Sequence, residues 1–470
     1  MSDDFEKAAR VALARAVQYR DRSAAAAPPG PTASLEELRA NFDIDLPEVG
    51  RSGSDIIEML ANAAEPGLVG NTSPNHFGWV MGASHSIGVA ADWLTSAWGQ
   101  NSGIFPTSPA SAVAEEVVSR WLLDLLDLPR EASLGFVTGA TMAGFTCLAA
   151  ARSEVLHQAG WDLERKGQFG APAIDVFLGE EAHSTIFSAL RYLGFGDDHL
   201  VRIAADEEGC MKLDDLSSKM AASGQPKIVI CQAGHINSGA FDDMGAIADL
   251  VGEHQGWLHV DGAFGLWARA SGKLKPLCVN AERADSWSVD GHKWLQVPYD
   301  AGYAIVKHPQ AHVRAMDISA SYLETTAEDG RKPSQFAPEL SRRARGFAAW
   351  ATLQALGRQG IEEMVERHCD CARYLADELG KEEGIEVLND VVLNQVAVGF
   401  AAGGPLAEKK AGADQVLAAL GQENTSFVGG AEWKGQKILR VSVISNETTR
   451  RDMDRLQHSI LTAWRAVRDQ

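Results

Sequence analysis

Between residues 135 and 300, short apolar runs alternate with longer stretches of helical spacing. GFV at 135–137 passes through small residues into an apolar helical pattern, and AIDVFLG at 173–179 passes into an amphipathic one. IVIC at 228–231 repeats the succession, with a polar glycine loop before GAIADLV. WLHV at 257–260 delivers Asp261, and the run ADSWSV at 284–289 is followed by Asp290, Gly291, His292 and Lys293. GYAIVKH at 302–308 reads as one more strand. Runs this short and this apolar are buried strands, and their alternation with helices predicts a mostly parallel sheet covered on both faces.

The flanks read differently. Residues 1–22 predict an amphipathic helix, and the Pro-Pro-Gly of SAAAAPPGPT at 23–32 ends it. SLEELRANF at 34–42 resumes helical spacing, with Ser34 and Glu37 in capping-box register, and a further helix is expected at 54–64 with Ser54 as its cap. The segment 70–86 alternates Gly, Pro and Asn with His76, Phe77 and Trp79, which predicts a loop carrying bulky side chains. Helices follow at about 88–99 and from Pro109. Beyond Lys293, residues 320–343 are polar with Gly and Pro and predict a long loop. Helical patterns at 345–360 and 361–384 precede strand patterns at 385–390, 393–400 and 437–445, a helix near 413–421 and a last helix from about 449. The organisation expected is an N-terminal helical segment (1–70), a large α/β domain (71–375) and a small α+β C-terminal domain (376–470).

A carboxylate and a lysine delivered by neighbouring buried strands change the picture. Open α/β sheets build their sites at the carboxyl ends of strands. Either residue alone is commonly a helix cap or a solvated surface group. Together, Lys293 and Asp261 suit pyridoxal 5'-phosphate, which needs an amine for a Schiff base and an acid opposite its ring nitrogen. Gly139, Ala140 and Thr141 fall where a helix begins, so their backbone N–H groups suit a phosphate. His183 ends the strand pattern at 173–179 and stands to cap the next helix or to stack on a ring.

Composition narrows the partners. A formal net charge of −20 argues against a nucleic-acid partner. No apolar run reaches the length of a membrane helix, and the charged N-terminus lacks the apolar core of a signal peptide. The six cysteines have no common spacing, and Cys369 and Cys371, two apart in a helical stretch, face different ways. Free thiols in a reducing cytoplasm are expected, with no metal.

Taken in order, SPNHFGWVMGAS, SPASAVAEEVVSRWLLDLLDLP, VTGATMAG, EEAHSTIFSALRYLG, AGHINSGAFDD, HVDGAFG, DGHKWLQVPYDAG, SRRARGFAAWATLQALGRQG and LRVSVISNETT resemble the group II pyridoxal-phosphate-dependent amino-acid decarboxylases, the family of the aromatic L-amino acid and glutamate decarboxylases. The resemblance runs from about residue 55 to the end. It implies the fold type I architecture of PLP-dependent transferases, a homodimer with a shared active site, and an amino-acid substrate. It also implies roles. Lys293 holds the cofactor, Asp261 keeps the ring nitrogen protonated, and Ala263 and His183 lie against the two ring faces. Ala140, Thr141 and His292 take the phosphate, and Tyr322 is the loop residue that returns a proton to the substrate carbon.

Two departures from the family pattern, and one agreement with its aromatic members, bear on these roles. The loop AGHINSG replaces a threonine-rich one, which leaves Asn237 as the candidate contact to the ring hydroxyl. Asp290-Gly291 stands where the family often has Asn-Pro, and an acid near a phosphate needs a partner of its own. Trp79 occupies a pocket-aromatic position and, with Phe105, is the expected substrate contact, favouring an aromatic or bulky amino acid. The activity implied is decarboxylation to the amine. The alternatives on this scaffold are oxidative decarboxylation to an aldehyde, which a loop Phe in place of Tyr favours, and carbon–carbon cleavage.

Overall fold

In the computed structural model, which describes residues 2–25, 30–318 and 330–469, the chain divides into two units. The larger comprises Ser84–Arg373 and Leu388–Ala397; the smaller comprises Met1–Ala83, Tyr374–Val387 and Val398–Gln470.

The larger unit is built on a seven-stranded sheet. Its strands are β1 (Ser133–Val137), β2 (Asp175–Gly179), β3 (Leu200–Ile203), β4 (Lys227–Gln232), β5 (Trp257–Asp261), β6 (Ser286–Asp290) and β7 (Gly302–Val306). They lie in the order β1-β7-β6-β5-β4-β2-β3, and only β7 runs antiparallel to its neighbours. The mostly parallel sheet expected from the alternation is present. Strands β4 to β7 are buried at every position, which explains why they read as continuous apolar runs.

One face of this sheet carries the helix Ala140–Gln158. Small side chains, Ala143, Cys147, Ala150 and Ala151, are fully buried there and let the helix backbone approach the strands. The Cys147 thiol reaches the carbonyls of Trp287 and Ile305, both at 3.5 Å. Elsewhere in the unit, Arg342 and Glu115 form a fully buried two-pronged ion pair, both contacts 2.8 Å, with the Ser102 hydroxyl donating to Glu115 at 3.0 Å.

The smaller unit carries most of a four-stranded sheet in the order β10-β11-β9-β8, from β8 (Ile385–Val387), β9 (Gln395–Phe400, whose first three residues count with the larger unit), β10 (Gly429–Trp433) and β11 (Gln436–Ser442). Helix Arg450–Arg468 buries Met453, Leu456, Ile460 and Trp464, one stripe at helical spacing. Trp464 packs its ring 5.4 Å from Phe400 and donates to the Glu383 carbonyl at 2.8 Å. The helices Ser2–Ala24 and Gly53–Ala64 belong to the same unit and are tied by Arg15, which reaches Glu58 and, at 3.5 Å, Glu65.

Several local expectations are met. Ser34 and Glu37 form the reciprocal capping box. Pro109 opens its helix. The helix at 53–64 starts earlier than expected: Ser52, not Ser54, accepts the Asp55 N–H. The two helical patterns from 345 form one stretch, Arg345–Leu379, broken at Gly357, whose φ of 62° only glycine adopts readily. Strands β3 and β10 were not expected from the pattern. Among the described residues all six cysteines are free thiols, no cluster suits a metal, and no helix is long and apolar enough to cross a membrane.

Candidate active site

The carboxyl ends of β1, β2, β4, β5 and β6 open onto one cavity of about 320 Å³ in the larger unit. Ligand pockets begin at about this size. Ala140, Thr141, His183, Asp261, Ala263, Asp290, His292 and Lys293, drawn from four separate stretches of the chain, all line it.

Asp290 is the hub. It ends β6, is almost fully buried, and its carboxylate has three partners. Oδ1 accepts the Ala140 N–H at 2.6 Å, capping the helix Ala140–Gln158 across 150 positions of sequence, and lies 3.3 Å from His292 Nε2. Oδ2 sits 3.0 Å from the Lys293 ammonium. The acid that departs from the family pattern is thus paired with Lys293 and a helix N-terminus. The adjoining glycine also has a reason: a Cβ at Gly291 would lie 2.6 Å from the Tyr303 hydroxyl.

His292 stacks on Tyr299, with ring centroids 4.3 Å apart, and its Nδ1 accepts the Ala301 N–H at 3.2 Å. Burial, chiefly, lowers its pKa, against an opposing pull from Asp290. The ring is therefore neutral near pH 7, with its proton on Nε2, aimed at Asp290. The Tyr299 hydroxyl is pushed up to about 12, mainly by burial and then by the Asp290 charge, so it stays protonated. Next to Lys293, Trp294 is fully buried and donates to His368 Nδ1 at 3.0 Å, which anchors the turn that presents the amine.

Asp261 ends β5, one strand over. Its Oδ1 accepts the Ala263 N–H and the Ser288 hydroxyl, both at 3.3 Å. His183 caps the helix Ser184–Tyr192, its Nδ1 facing the Thr185 hydroxyl at 2.8 Å and the Thr185 N–H at 3.4 Å.

Pyridoxal phosphate can be tested against this cavity. At Gly139, a Cβ would lie 2.9 Å from the His292 ring and 3.2 Å from Asp290, and Gly302 approaches the same backbone so closely that its Cβ would meet Gly139 Cα at 2.4 Å. A side chain is excluded at Gly139, so a ligand can come close to the backbone at that end of the cavity, where Ala140 and Thr141 also form the wall. An amine, an acid on a neighbouring strand and an imidazole stand around the remainder. The donor set fits the cofactor.

Three expected site residues do not line this cavity, and a fourth is outside the described residues. Asn237 is buried and donates its N–H to His235 Nδ1 at 3.4 Å; Gly234 and Ile236, not Asn237, line the cavity from this loop. Phe105 opens a short 3-10 turn and does not line the cavity. Trp79 belongs to the smaller unit, half-exposed, with a left-handed backbone (φ 56°) and its ring 5.1 Å from Phe427. Tyr322 falls outside the described residues. The cavity also has lining residues that the sequence reading passed over: Thr138, Thr185, Gln232 and Phe264. Gln232 could have been found, because it ends β4 as Asp261 ends β5, and the two are register partners.

Comparison with known proteins identifies the class. Residues 36–401 match the family model described as the pyridoxal-dependent decarboxylase conserved domain. The chain belongs to this family: it is an enzyme, a pyridoxal-phosphate-dependent amino-acid decarboxylase, and pyridoxal 5'-phosphate is its cofactor. It is 27% identical over 444 residues to an aromatic-L-amino-acid decarboxylase of Bacillus atrophaeus, covering 91% of this chain and 88% of that one. It is 26% identical over 447 residues to the acidic amino acid decarboxylase GADL1 of Mus musculus, covering 90% and 80%. In fold it resembles the Oryza sativa protein TDC, crystallised with PLP and tryptamine, with a TM-score of 0.91, 21% identity and 99% of each chain covered.

Proposed function

We propose that this protein removes the carboxylate of an L-amino acid with an aromatic or otherwise bulky side chain as carbon dioxide and releases the amine. The observation that carries the proposal is the meeting of one amine (Lys293), two carboxylates (Asp261, Asp290) and two imidazoles (His183, His292) around a single cavity at the strand ends. Bound there, the cofactor supplies a cationic ring that withdraws the electron pair left on the substrate carbon.

Lys293 is the residue assigned to carry the cofactor. Asp261, held by the Ala263 N–H and Ser288, holds a proton at the ring nitrogen. Ala140 and Thr141 at the helix start, with His292 beside them, are assigned to the phosphate, which competes with Asp290 for the Ala140 N–H and the His292 Nε2–H. Asp290 keeps His292 and Lys293 oriented toward the cavity. Ala263 and His183 pack against the two ring faces, and Tyr322 returns a proton to the substrate carbon. Gln232, a lining residue with a polar side chain, replaces Asn237 as the candidate partner of the ring hydroxyl.

The lining favours an uncharged substrate side chain. It carries two carboxylates and, among the described residues, no arginine, so an acidic side chain has no guanidinium to meet. The net charge of −20 acts in the same direction. Trp79 and Phe105 are assigned to substrate contact through a second subunit. A homodimer is supported by the exposed apolar side chains of the N-terminal segment, among them Phe42, Ile44, Leu46 and Val49, with Leu46 94% and Val49 80% exposed. Six free thiols support a cytoplasmic location.

The test is an amino-acid panel with the purified holoenzyme, carbon dioxide measured and products identified by mass spectrometry. Amine from an aromatic amino acid is the expected product; turnover of aspartate, glutamate or cysteine sulfinate alone would refute the substrate class. Aldehyde with ammonia and hydrogen peroxide, formed with uptake of dioxygen, would mark the oxidative reaction instead. Tyr322→Phe is expected to move the wild-type product mixture in that direction.

A further inference from the structure

Strands β5 and β6 run parallel with His259 opposite Ser286 and Asp261 opposite Ser288. Successive side chains alternate across a sheet, so Trp257, His259 and Asp261 share one face, and Ser286, Ser288 and Asp290 share the same face beside them. The opposite face holds Leu258, Val260, Trp287 and Val289, all apolar and buried. One face of two neighbouring strands is therefore polar inside a core, a costly arrangement unless every group is partnered.

Every group in this row is partnered, and the partners form a line. Trp257 Nε1 meets Ser286 Oγ at 2.9 Å, Ser286 Oγ meets His259 Nδ1 at 2.9 Å, His259 Nε2 meets Ser288 Oγ at 3.5 Å, and Ser288 Oγ meets Asp261 Oδ1 at 3.3 Å. The ends set the direction. An indole N–H only donates, and a carboxylate only accepts. Read from the carboxylate, the Ser288 hydroxyl donates to Asp261, so its oxygen is free to accept from His259 Nε2–H. His259 Nδ1 then lacks a proton and accepts the Ser286 hydroxyl, whose oxygen accepts from Trp257. Burial lowers the His259 pKa to about 3, so the ring stays neutral and the direction of the line does not reverse.

We propose that His259, acting through Ser288, is a positioning residue for Asp261: the row of donors ending on Oδ1 fixes the carboxylate so that its other oxygen faces the ring nitrogen of the cofactor. This rests on the role proposed for Asp261 and adds residues that never touch the cofactor. His259 touches neither substrate nor cavity wall, yet its orientation reaches the cavity through one hydroxyl. Hydrogen bonds in a chain reinforce each other, so removing a middle member weakens the last bond as well.

The test uses the full-length protein and three variants, Ser288→Ala, His259→Leu and His259→Gln. Gln places an amide nitrogen near the position of the imidazole Nε2 and retains a donor to Ser288. Three quantities are read: the cofactor dissociation constant, the nitrogen-15 resonance of the ring nitrogen in labelled bound cofactor, and kcat separately from KM. Ser288→Ala and His259→Leu are expected to weaken cofactor binding about ten-fold and to move the ring nitrogen toward its deprotonated resonance, with His259→Gln within about three-fold of wild type. The fall is expected in kcat, with KM little changed.

Unchanged ring resonance and cofactor affinity within about two-fold in Ser288→Ala, with a native near-ultraviolet circular dichroism spectrum, would overturn the proposal. Ser288→Ala decides even if His259→Leu does not fold, since it removes one oxygen and no carbon framework. In the cofactor-free wild type, nitrogen-15 shifts should show His259 protonated on Nε2; an Nδ1-protonated ring would also overturn it. If the wild type holds no cofactor at all, the role of Asp261 fails; if the wild type holds it and the variants match, only the positioning role fails.

Discussion

The seven-stranded sheet buries β4 to β7 on both faces and gathers its charged groups at the strand ends, whereas in the four-stranded sheet only β9 is buried throughout and β10 exposes Gly430 and Glu432. In the first, a parallel arrangement leaves all crossover loops at the carboxyl ends on one side, so side chains from distant stretches meet there. In the second, antiparallel pairing and two amphipathic helices complete a core with no such convergence. The difference separates where activity is vulnerable from where stability is. Lys293, Asp290 and His292 are linked to each other more than to the apolar core, and Trp464 has the opposite character.

The largest effect should come from the strand ends. Lys293→Ala is expected to cost on the order of 10³-fold or more in kcat/KM, and Asp261→Ala at least about 10²-fold, with the thermal melting point of the cofactor-free protein little changed. Steady-state kinetics beside melting curves checks this, and a variant that loses stability in proportion to activity would erase the contrast. The reciprocal change is Trp464→Ala. It removes a buried ring that packs on Phe400 and a donor to Glu383, and should cost about 3–5 kcal/mol of stability in urea titration while the folded fraction keeps its kcat.

A smaller, graded effect comes from pH. Burial holds His76 near pKa 4 and His259 and His312 near 3, all below an unfolded histidine. The unfolded chain binds these protons first as pH falls below about 6.5, so stability is full above that value and declines toward pH 4 and below. The slope is roughly 1.4 kcal/mol per pH unit for each histidine that differs between the two states. His76 lies in the smaller unit and the other two in the larger, so both should weaken on acidification; denaturant titration with a probe in each unit reads this. At the low end, Ser34→Ala removes an exposed capping box and should cost about 1 kcal/mol, confined to the helix Leu35–Phe42. Amide hydrogen exchange would register it with no change in kcat.

Much of the larger unit is legible in one dimension because its strands are buried on both faces, so apolar runs such as IVIC and WLHV stand out without any partner being known. Strand β3 does not: it is short, lies at the sheet edge, and its LVRI is only partly buried. Strand β10, GGAEW, hides behind two glycines and alternating exposure. Among site residues, Asp261 and Lys293 are readable because a charged group directly after a buried strand is conspicuous. Asn237 is less readable because a loop's polar residue can face either way; its neighbours Gly234 and Ile236 line the cavity.

By itself the sequence determined the alternation of strand and helix, the burial of the strands, the helix caps and the few reactive groups that close each run. These follow from periodicity and local backbone chemistry, which act within a few residues. Strand order, the capping of Ala140 by Asp290 and the line from Trp257 to Asp261 were decided only in three dimensions. They depend on which strands become neighbours and in what register, and that is set by the packing of distant apolar faces that no local pattern records.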